Sequence, residues 1–161
     1  MKASELMVGD WVNYRPGWID EETGKPEYEC GEGFPVKITC IYDCLAQYDD
    51  MLPDGTINTI EVANYELSGI PITPEILEKN GFAKEKEDEL GITYYFLARP
   101  FTTQITLYKE PIGGVSILFK VWGRVPSSEV GVNDIHLCSV KYVHEMQHAL
   151  RLCGIEKEIE L

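Results

Sequence analysis

Positive charge is what this chain has least of. Its 161 residues carry 14 Lys and Arg against 27 Asp and Glu, a formal net charge of −13. Affinity for phosphate backbones comes from basic groups that displace counterions. No basic stripe with interleaved aromatics offsets the deficit, so direct nucleic-acid binding is not expected. Also missing is any apolar run near the roughly 18 residues that a membrane span needs, which argues against a membrane partner. The opening Met1-Lys2-Ala3-Ser4-Glu5-Leu6 lacks the apolar stretch of a secretory signal, and the cytoplasm is the expected compartment. No CxxC pair occurs, and the five cysteines (Cys30, Cys40, Cys44, Cys138 and Cys153) are odd in number. In a reducing compartment they read as free thiols. Cys40 and Cys44 stand four apart, but alternation around them reads as strand, and structural zinc favours a tighter knuckle. Gly113-Gly114 precedes a strand and implies no phosphate-cradling loop. Ser127-Ser128 has no base pattern nearby, so no nucleophile constellation emerges. Internal repeats and low-complexity tracts are absent too.

What is there is ordinary globular material: 44% hydrophobic and 25% charged residues, enough for one good core or two small ones. The charge is uneven. Residues 1–70 hold 4 Lys/Arg and 14 Asp/Glu, so −10, whereas residues 71–161 hold 10 and 13, so −3. A basic protein, or self-association, is the expected partner class.

The pattern along the chain divides at the same place. Residues 8–14 and 36–43 alternate and are rich in β formers. Between them, residues 15–33 read as a long acidic loop carrying Pro16, Gly17, Gly24, Pro26, Gly31 and Gly33. Pro53-Asp54-Gly55 is a turn, because proline presets φ and glycine accepts a positive one. Residues 56–62 alternate again, with Ile57, Ile60 and Val62 as core candidates, and residues 65–72 add a short extended piece. Short strands with no helix between them predict a small SH3-like β-barrel over residues 1–70.

The second lobe, residues 71–161, opens with a punctuated helix. Thr73 caps it, Pro74 suits its first position, Glu75 favours the positive end of the dipole, and Gly81 stops it. Ile76, Leu77 and Phe82 are the buried candidates. The mixed-sign run 84–89 reads as a solvated loop. Strands follow at 92–98, 102–109 and 114–122, joined by short connections that predict antiparallel pairing, and 132–138 adds a fourth. A closing helix over 140–153, with Ser139 as its cap and Gly154 as its stop, completes an α+β lobe: an antiparallel β-meander flanked by helices.

Three segments carry a family resemblance. They are residues 1–12 (Met1-Lys2-Ala3-Ser4-Glu5-Leu6-Met7-Val8-Gly9-Asp10-Trp11-Val12), residues 70–82 (from Ile70-Pro71-Ile72-Thr73-Pro74 to Asn80-Gly81-Phe82), and residues 141–150 (Lys141-Tyr142-Val143-His144-Glu145-Met146-Gln147-His148-Ala149-Leu150). Together they resemble a family of short proteins encoded by Bacteroides-type bacteria, their phages and their mobile elements. The resemblance spans both ends and the middle of the chain. It implies no particular activity, because none is established for the family. Its closing motif resembles Tyr-Val-His-x-Leu-Gln and requires neither Glu145 nor His148.

Those two residues matter because His144-Glu145-Met146-Gln147-His148 matches the HExxH pattern. On a helix, positions i and i+4 share a face, so two imidazoles can hold one zinc while the glutamate polarises its water. A hydrolase of this kind needs a third ligand. Only Glu156, Glu158 and Glu160 follow, in a tail that reads as too short to fold back. Asp134 and His136 lie upstream, His136 beside Cys138 on one face of an alternating strand. At about 100° per residue, Tyr142, Val143, Met146, Ala149, Leu150 and Cys153 gather on one side of the helix. His144 and His148 fall toward the other, near Lys141 and Arg151, whose charges oppose a divalent ion. The sequence therefore favours a packing helix with no metal or cofactor, and a zinc-dependent hydrolase using His144, Glu145 and His148 is the alternative.

A second candidate lies in the first lobe. Trp11, Tyr14 and Trp18, with Tyr28 and Phe34 nearby, stand among Asp20, Glu21 and Glu22. Aromatic faces beside carboxylates hold cationic or proline-rich peptides. The expectation is a non-enzymatic accessory or interaction protein of a bacterial or phage-like element, with Trp11, Tyr14 and Trp18 as its peptide-binding patch.

Overall fold

The computed structural model describes residues 1–29, 31–89, 91–98, 101–109, 115–122, 135–152 and 154–161. It is mostly antiparallel sheet with few helices, and it falls into two compact units, Met1–Ile70 and Pro71–Leu161.

In the first unit, β1 (Trp11–Tyr14) starts after a tight turn. The buried Asp10 carboxylate accepts the Met7 N–H at 2.7 Å, and Gly9 takes φ 89°. An arm follows, formed by β2 (Gly17–Ile19) and β3 (Pro26–Tyr28) in an antiparallel pair. The expected loop over 15–33 thus contains a hairpin. Its turn is held by Asp20, whose carboxylate accepts from both the N–H and the hydroxyl of Thr23 at 2.6 Å. Those bonds pull the Asp20 carboxyl below its ordinary pKa.

The rest of the unit is a five-stranded sheet. Its strands are β4 (Phe34–Ile41), β5 (Leu45–Met51), β6 (Ile57–Ala63) and β7 (Leu67–Ser68) with β1, in the order β6-β5-β4-β1-β7. Strand β5 was not foreseen, because Asp49, Asp50 and Met51 face solvent while Ala46 and Tyr48 alone turn inward. Pairing changes partner along β4: residues 34–37 pair with β1 and residues 38–41 with β5, with a register shift between Ile38 and Cys40. Strands β6 and β7 are the two edges, yet only the 3₁₀ turn Asn64–Glu66 separates them in sequence. A flat sheet would hold its outer strands about 19 Å apart. Four Cα steps reach at most about 14 Å. The sheet therefore coils about its core, which is Leu6, Val12, Val36, Ile38, Ala46, Tyr48, Val62 and Leu67. Among the described residues β6 and β7 do not pair, and no closed barrel is formed.

Side-chain parity corrects one core assignment. Val62 is buried and Ile60 half-buried, but Ile57, of the opposite parity, is 64% exposed. A strand cannot present residues 57 and 60 to one face.

The second unit opens as its punctuation dictates. Helix α1 (Pro74–Lys79) has Thr73 as cap, its hydroxyl oxygen accepting the Ile76 N–H at 3.4 Å, and Gly81 at φ 76° ends it. Leu77 and Phe82 are buried, whereas Ile76 is only half-buried. The run expected as a loop at 84–89 is instead mostly β8 (Ala83–Asp88), the edge of a meander in the order β12-β11-β10-β9-β8. Alternating charges suit an edge strand, where they discourage pairing with other chains. The other strands are β9 (Gly91–Ala98), β10 (Phe101–Lys109), β11 (Val115–Trp122) and β12 (Ile135–Val140), all antiparallel. Connections expected at 99–100 and 110–113, the glycine pair at 113–114, residues 132–134, and Ser127-Ser128 lie outside the described residues, as do Cys30 and Cys153.

Helix α2 (Val143–Leu152) begins three residues later than expected, and Ser139 belongs to β12 and not to a cap. The delay has a cause. Lys141 O accepts the Ile72 N–H at 3.2 Å and Tyr142 bridges Pro71, so residues 141–142 stay extended. Gly154, at φ 70°, stops the helix as expected.

The tail does fold back, against the expectation from its length. Ile155 and Ile159 are buried. Buried Asn80 grips the backbone of Glu160 from both sides, donating to its carbonyl at 2.7 Å and accepting its N–H at 2.9 Å, while also donating to Ile76 O at 2.8 Å. Asn80→Ala leaves these backbone groups without their partner and should cost about 1–3 kcal/mol. Chemical denaturation reads the loss, and hydrogen exchange should show residues 155–161 opening first.

Candidate functional site

Two places carry the residues singled out from sequence. The first is the start of α2. There His144, expected on the polar side, is only 3% exposed, and Gln147 is buried too. The helical wheel gave the direction of the apolar face but not its width: Val143, His144, Met146, Gln147, Ala149 and Leu150 are all covered, while Tyr142 is partly exposed. The His144 ring stacks on Tyr142 at 5.8 Å and 8°, and its centroid lies 6.0 Å from that of half-buried His148.

Glu145 is the informative member. It is the third residue of α2, and its Oε2 accepts the N–H of Lys141 at 2.6 Å and of Tyr142 at 3.1 Å. A glutamate at this position reaching back over the helix start is half of a capping box. It satisfies donors that the helix itself leaves open. The side chain that a zinc hydrolase would use as general base is thus turned toward the helix N-terminus. Among the described residues no three His, Cys, Asp or Glu side chains gather as a metal set. His136 stands on β12 opposite Lys120. The bonds of Glu145 are those of a helix cap.

The second place is the face of the first unit where β1, β4 and β5 meet. The Tyr14 ring lies 5.4 Å from Phe34, edge-on at 85°, and 5.7 Å from Tyr48; Phe34 and Tyr48 are 6.5 Å apart. Edge-to-face pairs at such spacings are attractive beyond their buried area. Tyr48 is buried and Tyr14 half-buried, but Phe34 remains 46% exposed. Burial raises both phenols above their ordinary pKa; Glu66 and Glu29 add to this at Tyr14, and Asp50 and Glu66 at Tyr48. The negative charges of Glu29, Asp50 and Glu66 thus reach the two phenols.

No family model, no curated protein and no solved structure matches the chain. Its function must be argued from these sites.

Of the three aromatics expected to form a patch, Tyr14 alone is in this ring cluster. Trp11 has the opposite parity on β1 and lies across from Lys37. Trp18 is 50% exposed on the arm, across from Glu27. Phe34 and Tyr48 take the places expected of the tryptophans. Phe34 was a named neighbour in the sequence, whereas Tyr48 was missed together with β5. The arm is fastened beside the cluster by the 3₁₀ turn. Glu66 accepts the Gly17 N–H at 3.1 Å, Tyr28 donates its hydroxyl to Tyr65 O at 3.0 Å, and the Arg15 guanidinium lies 4.9 Å over the Tyr28 ring. Gly17 is required there, since a Cβ would stand 2.4 Å from Glu27 O. Cys40 is half-buried, Cys44 is exposed, and both are free thiols. Among the described residues no helix is long and apolar enough to cross a membrane.

Two measurements check this account. Glu145→Ala should lower stability by about 1 kcal/mol, and Glu145→Gln, which keeps an acceptor, by much less. Alkaline stability tests the ring cluster. A phenol with a raised folded pKa contributes stability that is complete below its ordinary value of 10.0 and is lost as pH rises through the folded value. Tyr14→Phe should therefore flatten the fall in stability above pH 10.0, as followed by urea denaturation at stepped pH.

Proposed function

We propose that the protein is a non-enzymatic accessory or interaction protein of a bacterial or phage-like element, acting in the cytoplasm. Its first unit serves as a partly open SH3-like barrel that grips a basic, proline-bearing segment of a partner protein. The observation that carries the reading is the Tyr14–Phe34–Tyr48 cluster, from which Phe34 stands 46% exposed, with the charges of Glu29, Asp50 and Glu66 acting on its phenols. Flat aromatic rings suit the preformed, extended shape of proline-rich chain, and carboxylates beside them attract its cations. The five strands in the order β6-β5-β4-β1-β7, with a 3₁₀ turn before the last, support the barrel reading, as does the reach limit that coils the sheet. Free Cys40 and Cys44 accord with a reducing compartment.

The zinc-hydrolase alternative asks of Glu145 a task that its bonds to Lys141 and Tyr142 oppose. Stoichiometric zinc in the untagged protein, lost on His144→Ala and His148→Ala, would overturn the non-enzymatic reading.

A ten-residue peptide of prolines with two arginines, titrated into the full chain, tests the aromatic face. Tryptophan fluorescence should report binding that weakens at least tenfold in Phe34→Ala and falls with added salt. Binding that Phe34→Ala leaves untouched counts against the face.

A further inference from the structure

Strand β6 is seven residues long and, among the described residues, pairs with β5 alone. Bracketing hydrogen bonds fix how its backbone points. Leu52 N donates to Thr56 O at 2.9 Å at one end, and Asn64 N to Cys44 O at 3.1 Å at the other. Antiparallel pairs alternate between bonded and non-bonded. With the unbroken register of β5 and β6, the bonded pairs between these limits are Asp50/Asn58, Tyr48/Ile60 and Ala46/Val62. The N–H and C=O of Ile57, Thr59 and Glu61 therefore point away from the sheet. Ala63, next in the series, agrees: its N–H turns away from β5 to donate to Glu66 at 2.8 Å.

Open edges are ordinarily blunted by lysine, proline, a bulge or shortness. Edge β8 has Lys84 and Lys86 with a register shift between them, and edge β7 is two residues long. Strand β6, Ile-Asn-Thr-Ile-Glu-Val-Ala, has none of these devices. Its surroundings are acidic. Exposed Glu61 and Thr59 are tied across to Gln47 and Asp49 at 2.8 Å, in a unit whose formal charge is −10.

We propose that β6 receives an extended, lysine- or arginine-bearing segment of a partner protein as an added antiparallel strand. Backbone bonds form at Ile57, Thr59 and Glu61. A basic side chain of the segment lies opposite Glu61, and an apolar one, four residues along, opposite exposed Ile57. A second copy of this chain is disfavoured by like charge. The surface is separate from the aromatic face.

The probe is a nine-residue peptide alternating lysine with valine and threonine, added to the isotopically labelled full chain. Exchange of the Ile57, Thr59 and Glu61 amides should slow at least tenfold, with Asn58, Ile60 and Val62 little changed. Thr59→Pro removes one outward N–H and spares the backbone bonds to β5, giving up only the exposed hydroxyl bond to Asp49. It should weaken binding at least tenfold while the melting temperature is kept, and Phe34→Ala should change nothing. Glu61→Lys, independent of any backbone effect, should shift preference toward a peptide with glutamate in place of lysine. The proposal fails if the three amides gain no protection, if acidic and basic peptides bind the native chain alike, if Thr59→Pro has no effect, or if β6 is already protected by pairing between two copies.

Discussion

The three residues Asn64–Glu66 must join opposite edges of a five-stranded sheet, and that covalent limit shapes the first unit. Coiling wraps residues of both halves of the sheet about one core, Val12 and Leu67 from one side, Ala46 and Val62 from the other. The same turn is then used as an anchor. Glu66 accepts the Ala63 N–H through one oxygen and the Gly17 N–H through the other, its carbonyl accepts the Arg15 N–H, and the Met1 amine donates to Asn64 O. Coiling the sheet and placing the arm beside the aromatic cluster are thus one structural event. A change that loosens Glu66 disturbs both.

Acidity also has two uses here. Of the fourteen Asp and Glu in residues 1–70, five (Glu5, Asp10, Asp20, Asp54 and Glu66) accept backbone N–H groups within turns. Such bonds satisfy donors that short strands and tight connections leave over. Part of the negative charge is therefore turn chemistry, and net charge alone overstates how much of it is offered to partners. The carboxylates beside the rings, Glu29 and Asp50, and those flanking β6, Asp49 and Glu61, carry the electrostatic argument more directly.

How much could be read from sequence depended on whether local chemistry decided the outcome. Helix α1 was legible because Thr73, Pro74 and Gly81 act within one turn of themselves. Strands with a clean alternation, such as those at 36–43 and 92–98, were legible to within a few residues. Strand β5 was not, since its outer half, Asp49 to Met51, is exposed throughout, and β8 was not, since an edge strand dressed in charge has the composition of a loop. The tail was misjudged for a different reason: its anchor is Asn80, some eighty residues away, and no local rule foresees that pairing. At the aromatic face, the expected patch put Trp11 and Tyr14 together although their parity on β1 turns them opposite ways, and only the missing strand could supply Tyr48.

Letters alone could not have resolved the role of the HExxH pattern, because a glutamate one residue after a histidine serves two chemistries. In one it lies between two imidazoles and polarises metal-bound water. In the other it stands at the third helical position and reaches back to the residues before the helix. Where the helix starts decides between them. Had α2 begun at residue 140, Glu145 would lie in its second turn, beyond reach of the unsatisfied N–H groups, and the metal reading would gain. The bonds of residues 71–72 to residues 141–142 hold the chain extended up to Val143. That delay brings Glu145 to the capping position. The long-range pairing at the helix start, more than any residue within the motif, therefore sets the chemistry available to it.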